Sequence, residues 1–296
     1  MVSFSLKKGV LGIIFLVILV TIAKITYDFF QPVITPPAAI VTEVKKDFTP
    51  KIDILGFSAE GRPIESFTFG KGTSSIVFVG GVHGGYEWNS VLLAYTFIDY
   101  LEAHPEDIPK NVSVVIIPVL NPDGLYLVTG KTGRFQVSDV TTDKTILSNA
   151  RFNSHEVDLN RNFDCKWRPK STWQSKIVSA GTAPFSEPEA KALQGFIRAN
   201  TPEAVVFWHS QSNGVYASMC EDGILPEALT LMNTYSLASG YKAYKIFGAY
   251  ETTGAADDWL ASINIPAITV ELETHETIEW ERNLAGGRAV IGKYGK

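Results

Sequence analysis

The stretch "GGVHGGYEWNS" (residues 80–90) joins an apolar run to an amphipathic one. Upstream, "SSIVFVG" (74–80) is short and continuously apolar, the pattern of a strand buried on both faces. Downstream, "EWNSVLLAYTFIDYLEAH" (87–104) spaces Val91, Leu92, Tyr95, Ile98 and Leu101 along one side of a helix. Three more runs, "VSVVIIPVL" (112–120), "AVVFWHS" (204–210) and "AITVELE" (267–273), repeat the buried-strand pattern. "SEPEAKALQGFIRAN" (186–200) reads as another helix, with Ser186 at the N-cap and Glu189 completing a capping box. Strands alternating with helices predict an α/β sheet protein, and neither an internal repeat nor a second folded domain is evident.

Each strand is followed by polar residues: "HGGYE" (83–87), "NPDG" (121–124), "HSQS" (209–212) and, at the end of the fourth, "VELET" (270–274). Open α/β sheets bind ligands at the carboxyl ends of their strands, so these groups read as one site. His83, Glu87 and His209 would give a metal two imidazoles and a carboxylate. A catalytic zinc takes three such ligands and keeps a fourth position for water. With five histidines in the chain, two at strand ends stand out from the usual hydrogen-bonded structural histidine.

At 296 residues, 45% of them apolar, the chain can bury a substantial core. Its net charge of −5, without a basic stripe, argues against nucleic acid as a partner. Residues 1–30 differ in kind. Lys7 and Lys8 precede "GVLGIIFLVILVTIA" (9–23), which carries no charge, and apolar character resumes after Lys24. The segment reads as an uncleaved membrane anchor or a cleaved signal peptide, either of which exports the rest of the chain. Residues 31–50, rich in proline, form a tether, and 51–296 the catalytic domain. Cys165 and Cys220 suit an oxidising compartment, where they are either bridged or two free thiols.

"GFSAEGRPI" (56–64), "NPDGLY" (121–126), "ARFNSHEVDLNRNFD" (150–164), "FSEPEAKAL" (185–193), "WHSQS" (208–212) and "ITVELET" (268–274) occur in the order found in the zinc carboxypeptidases. From about residue 53 to 275 the chain resembles that family, the carboxypeptidase A and B type and its bacterial relatives. The resemblance implies a mixed, mostly parallel twisted sheet flanked by helices, and one Zn²⁺ per chain held by His83, Glu87 and His209. Glu271 falls where the family keeps its general base, with Glu273 two residues on as the competing candidate. Arg151 resembles the arginine that stabilises the oxyanion, and Asn160 and Arg161 the pair that binds the substrate's terminal carboxylate. Tyr250, in "GAYETTGAADDW" (248–259), resembles the tyrosine that closes over that carboxylate. Asp257, two before Trp259, matches the base of the pocket for the C-terminal side chain, where an acidic residue favours Lys, Arg or a diamino acid.

Two departures stand out. Glu87 follows His83 at i+4, one residue beyond the spacing in the family, and Trp88 after it aligns with a tryptophan common there. The extra residue then sits in a glycine-rich turn able to absorb it, unless another acidic residue takes the ligand role. No basic residue lies between the ligands, where pancreatic-type relatives have an arginine. The expected function is a membrane-anchored, extracytoplasmic zinc metallocarboxypeptidase acting on peptides. Its rivals are a γ-D-glutamyl–diamino acid peptidase acting on peptidoglycan stem peptides, an amidase of N-acyl amino acids, and a catalytically silent peptide-binding module.

Overall fold

The computed structural model describes residues 48–295, together with residues 16, 18–24 and 26. The chain divides into two compact units, Met1–Lys46 and Asp47–Lys296. The candidate anchor or signal segment (1–30) and the tether (31–50) lie largely outside the described residues. Among the described residues no helix is long and apolar enough to cross a membrane.

Ten strands are described: β1 (Lys51–Phe57), β2 (Pro63–Gly70), β3 (Ser74–Val79), β4 (Val112–Ile117), β5 (Lys170–Trp173), β6 (Lys176–Ser179), β7 (Ala204–Ser210), β8 (Gly214–Ala217), β9 (Lys242–Tyr244) and β10 (Ala267–Leu272). Eight of them form one sheet in the order β1-β2-β4-β3-β7-β10-β8-β9, and β5 pairs only with β6. The four central strands β4, β3, β7 and β10 run parallel, while β2 and β8 flank them antiparallel. This is the expected mixed sheet with a parallel centre.

Burial on both faces explains why the central strands are mostly apolar, and period-two alternation divides their side chains between those faces. Ile76, Phe78, Val206 and Trp208 point to one face, beneath the helices Trp88–Ala103, Pro226–Ser239 and Trp280–Tyr294. Val77, Val79, Val205 and Phe207 point to the other, with Leu193 of the Pro188–Asn200 helix and Trp259 of the Ala256–Ser262 helix. On the first face the Trp208 ring stacks on Phe78 at 5.1 Å and meets Phe97 edge-on at 5.5 Å. Its indole N–H, which burial would otherwise leave unpaired, donates to the Tyr235 hydroxyl at 3.1 Å. Of the residues expected on the buried side of the first helix, Val91, Tyr95, Ile98 and Leu101 are buried and Leu92 is half-buried.

Two expectations need correction. The helix in "SEPEAKAL" begins at Pro188 with Glu187 at its N-cap, so Ser186 and Glu189 form no capping box. Ser186 instead donates to the Glu187 carboxylate, and Glu189 accepts from the Ala59 amide at 3.0 Å. Proline at the first helical position fixes the start there, because its missing N–H costs nothing in the first turn. The second concerns Glu273. Strand β10 ends at Leu272, so the alternation that would place Glu273 beside Glu271 stops short of it.

The two cysteines are bridged: Cys165 and Cys220 form a disulfide across 55 residues of sequence. Closing a loop of that length removes about 4 kcal/mol of chain entropy from the unfolded state. Replacing both by serine should therefore lower the thermal midpoint by roughly 10 °C, and adding reductant to the native chain should lower it comparably. Calorimetry with and without reductant measures this, and an unchanged midpoint would deny the bridge a stabilising role.

Candidate metal centre and substrate cleft

The parallel register of β7 and β10 sets His209 directly beside Glu271. His83 lies beyond the end of β3, after Gly80 and Gly81, and Glu87 closes a single 3₁₀ turn, Gly84–Glu87, that leads into the Trp88–Ala103 helix. That turn accommodates the extra residue. Gly84 has φ +48°, and a Cβ there would come within 2.8 Å of Gly124 Cα. A Cβ on Gly85 would strike Val128 Cγ2 at 2.2 Å. Only glycines let the turn nest on the "NPDG" segment, which Asn121 caps by accepting from Gly124 N at 2.9 Å.

His83, Glu87 and His209 are all buried, and one ligand atom from each lies within 4.8 Å of the others. His83 Nε2 is 4.0 Å from Glu87 Oε1, and His209 Nδ1 donates to Glu87 Oε2 at 2.9 Å. Burial depresses the His209 imidazole, but the Glu87 carboxylate outweighs it and the net shift is upward. Burial also drives His83 well down, assisted by the cation of Arg151. His83 Nδ1 makes no hydrogen bond, although Asp158 Oδ1 stands 3.4 Å away. Two imidazoles and a carboxylate, converging in a buried site that leaves one of their nitrogens unsatisfied, fit a catalytic zinc.

A cleft of about 660 Å³ opens on this cluster, and the other expected site residues, Arg151, Asn160, Arg161, Tyr250, Asp257 and Glu271, all line it. Glu271 is half-buried there, and desolvation, then the Glu87 charge, push its carboxyl up to about 7. Glu273 lies outside, its side chain more than half exposed and 3.6 Å from Arg282. Arg151 is 3% exposed and binds Asp158 Oδ2 through Nε at 3.0 Å and Nη2 at 2.9 Å. Arg161 donates to Thr172 O at 3.3 and 3.0 Å and to Asn160 O at 2.7 Å. Asn160 Oδ1 accepts from Ala256 N at 2.9 Å, which fixes its amide and leaves Nδ2 for a ligand. Asp257 Oδ2 accepts from Thr269 Oγ1 at 3.0 Å. Burial raises the Tyr250 phenol, which faces both arginines.

Three cleft residues, and one acid buried against the cleft arginine Arg151, carry no motif signal of their own. Asp158 sits three before Arg161 and caps the 3₁₀ turn Leu159–Arg161 by accepting from Asn160 N at 3.1 Å. In "ARFNSHEVDLNR" it is one of two acids, with Glu156, between the two arginines, and the sequence does not distinguish them. Asp258 accepts from Met219 N at 2.8 Å, and burial, then the neighbouring Asp257, push it up to about 8. Trp173 and His275 come from a hairpin and a loop whose sequence gives no hint of the cleft. Other quoted motifs prove to be scaffold. Asp123 takes the Ser58 hydroxyl at 2.6 Å and Arg62 at 2.6 Å, while Glu187 takes Asn153 at 2.8 Å and His155 at 2.7 Å.

The model of the zinc carboxypeptidase family matches residues 41–281. The chain belongs to that family. Among curated proteins it is 26% identical to γ-D-glutamyl-L-diamino acid endopeptidase 1 of Lysinibacillus sphaericus, over 74% of this chain and 59% of the relative. It is also 26% identical to carboxypeptidase O of Bos taurus, over 80% of this chain and 68% of that one. The chain thus spans about three-fifths of the endopeptidase's length. Among solved structures, bovine thrombin-activatable fibrinolysis inhibitor superposes with a TM-score of 0.62 at 23% identity, covering 83% of this chain and 88% of that one. A murein-tripeptide amidase from Escherichia coli O157 gives 0.58 at 22% identity, covering 82% and 94%. At those identities the superpositions show the shared fold.

If the cluster is the zinc site, Glu87→Ala removes one of three ligands and should weaken zinc binding by more than about 100-fold, beyond the loss typical of a supporting residue. Competition with a chelator measures it, and unchanged affinity in a folded variant would move the metal elsewhere.

Proposed function

We propose that this chain is a zinc-dependent metallocarboxypeptidase that releases the C-terminal residue of peptides, favours a basic one, and works outside the cytoplasm, held there by its N-terminal segment. The observation that carries this reading is a single cleft combining a His₂Glu cluster, a half-buried glutamate and two arginines with an acidic pair. Zinc held by His83, Glu87 and His209 would polarise the scissile carbonyl and bring the pKa of a water toward ~7. Glu271, beside His209 and with a carboxyl near 7, takes a proton at its carboxylate and returns it to the leaving amine. Arg151 presents a fixed cation to the oxygen on which charge develops, with Asp158 orienting it. Arg161 and Asn160 hold the terminal carboxylate, since a guanidinium matches its two oxygens, and Tyr250 closes over it.

Asp257 and Asp258 supply the charge complement for a basic C-terminal side chain. The relative from L. sphaericus favours a second reading, cleavage of γ-D-glutamyl–diamino acid bonds in peptidoglycan stem peptides. The distal amine of a diamino acid would meet the same acidic pair. A diamino acid with a second carboxylate needs a further cation, and among the described cleft residues the only arginines or lysines are Arg151 and Arg161. That count favours lysine and arginine. A silent binding module is the weaker reading, because the ligands, the base and the oxyanion arginine are all present together in the cleft.

The purified chain loaded with zinc should release Lys and Arg from short peptides at least about tenfold faster than Leu, a charge-selective margin of about 1.4 kcal/mol. Release from muropeptides but not from such peptides would transfer the assignment to the second reading. Asp257→Ile should reverse the Arg-over-Leu preference. The preference should also grow with pH. Asp258 is raised to about 8, so it is neutral below that value and gains its negative charge above it. The ratio of kcat/KM for Arg and Leu substrates, in which the Glu271 titration cancels, should rise between pH 7 and pH 9. A flat ratio would remove Asp258 from the pocket's charge.

A further inference from the structure

We infer that the β5–β6 hairpin sets both arginines of the cleft, and that Trp173 is a positioning residue that holds Arg151 in place through its ring. The inference rests on the carboxypeptidase reading for what Arg151 does, though the contacts themselves are independent of it. The hairpin stands apart from the main sheet and turns through Gln174–Ser175, with Gln174 at φ +54°. A positive φ at the first turn position suits the right-handed twist of a two-residue hairpin.

Four attachments tie this small ribbon to the site. Ser179 O accepts from Asp158 N at 3.0 Å, and Thr172 O accepts from Arg161 Nε and Nη2. Ser171 Oγ accepts from the Thr253 hydroxyl at 2.9 Å, three residues after Tyr250. The buried Trp173 ring lies under Arg151, with the guanidinium carbon 4.5 Å from its centroid. The turn with the extra residue completes the enclosure. Tyr86 meets Trp173 edge-on at 5.2 Å and lies 5.7 Å from the same guanidinium.

Arg151 is therefore fixed in two ways, besides the Glu87 carboxylate 3.8 Å from its Nη1. Asp158 holds the edge of the guanidinium by hydrogen bonds, and the aromatic rings define its plane. A cation over an aromatic face is attracted to it most strongly when water is excluded, as it is at a buried ring. Without Trp173 the edge contact remains, but the group can tilt about it and admit water to the side facing the scissile carbonyl. Arg161 is held by the backbone carbonyls of Thr172 and Asn160, which a side-chain change at residue 173 leaves in place. The two arginines should thus separate kinetically, one acting on the transition state and the other on ground-state binding.

The test compares Trp173→Ala, Trp173→Phe, Arg151→Ala and the double variant on a peptide ending in arginine. Trp173→Ala should lower kcat about tenfold and leave KM within about twofold. Trp173→Phe, which keeps an aromatic face, should recover most of the loss. In the Arg151→Ala background, Trp173→Ala should cost less than about twofold, because the ring acts only through that arginine. An equal loss in both backgrounds, or a change in KM alone, would overturn the assignment. The Arg151 Nε–H resonance gives a readout apart from turnover. The Trp173 ring should shift it upfield, and Trp173→Ala should abolish that shift. Should the native enzyme cleave no peptide, the carboxypeptidase reading fails while this resonance still decides whether Trp173 holds the arginine; an unshifted resonance rejects the positioning role.

Discussion

The cleft depends on one buried carboxylate. Asp158 has no exposure to solvent, and leaving its charge unpaired in such a place would cost several kcal/mol. Its neighbours remove that cost. Arg151 binds Oδ2 through two nitrogens, His83 stands against Oδ1, and the amide of Asn160 donates to the same oxygen. Arg151 and Asn160 belong to the site, so compensating a single buried charge orders a guanidinium and the turn bearing Asn160 and Arg161, with the His83 ring packed alongside. Around this group the charges alternate: Glu87 faces His209 and Arg151, while Glu271, desolvated and close to the Glu87 charge, is left with a raised pKa.

Because the central strands are buried on both faces, their side chains are almost all committed to packing. Polar chemistry can appear only where a strand runs out. His209 is the penultimate residue of β7 and Glu271 that of β10, and the parallel register brings them level. Were those strands antiparallel, their carboxyl ends would lie at opposite edges and the base would be a full strand length from the metal ligands.

The sheet and most of the cleft were legible in the sequence for this reason. Continuous apolar runs such as "AVVFWHS" report burial on both faces, and their polar endings report the binding edge. What escaped detection depends on contacts distant in the chain. Nothing local to Trp173 places it against Arg151, since that contact arises from the hairpin's attachment through Ser179 and Thr172. The start of the helix after "SEP" was misplaced because Ser186 and Glu189 mimic a capping pair, while proline and the demands of Asn162, Asn153 and Ala59 draw both side chains elsewhere. Whether the cysteines were bridged was likewise open in the sequence, because their pairing is decided by how residues 163–165 and 219–220 are brought together by the fold.

The turn between His83 and Glu87 shows what spacing in a metal motif measures. The two ligands are delivered by different elements, one by the chain leaving β3 and the other by the onset of the Trp88–Ala103 helix. Their separation in space is set by where the strand ends and the helix begins. The number of residues between them is free to vary as long as glycines can take up the slack against Gly124 and Val128. A pattern search written with a fixed gap would pass over this chain. One anchored on the strand end before the histidine and the tryptophan after the glutamate would find it, and would find any cousin whose loop had grown or shrunk by a residue.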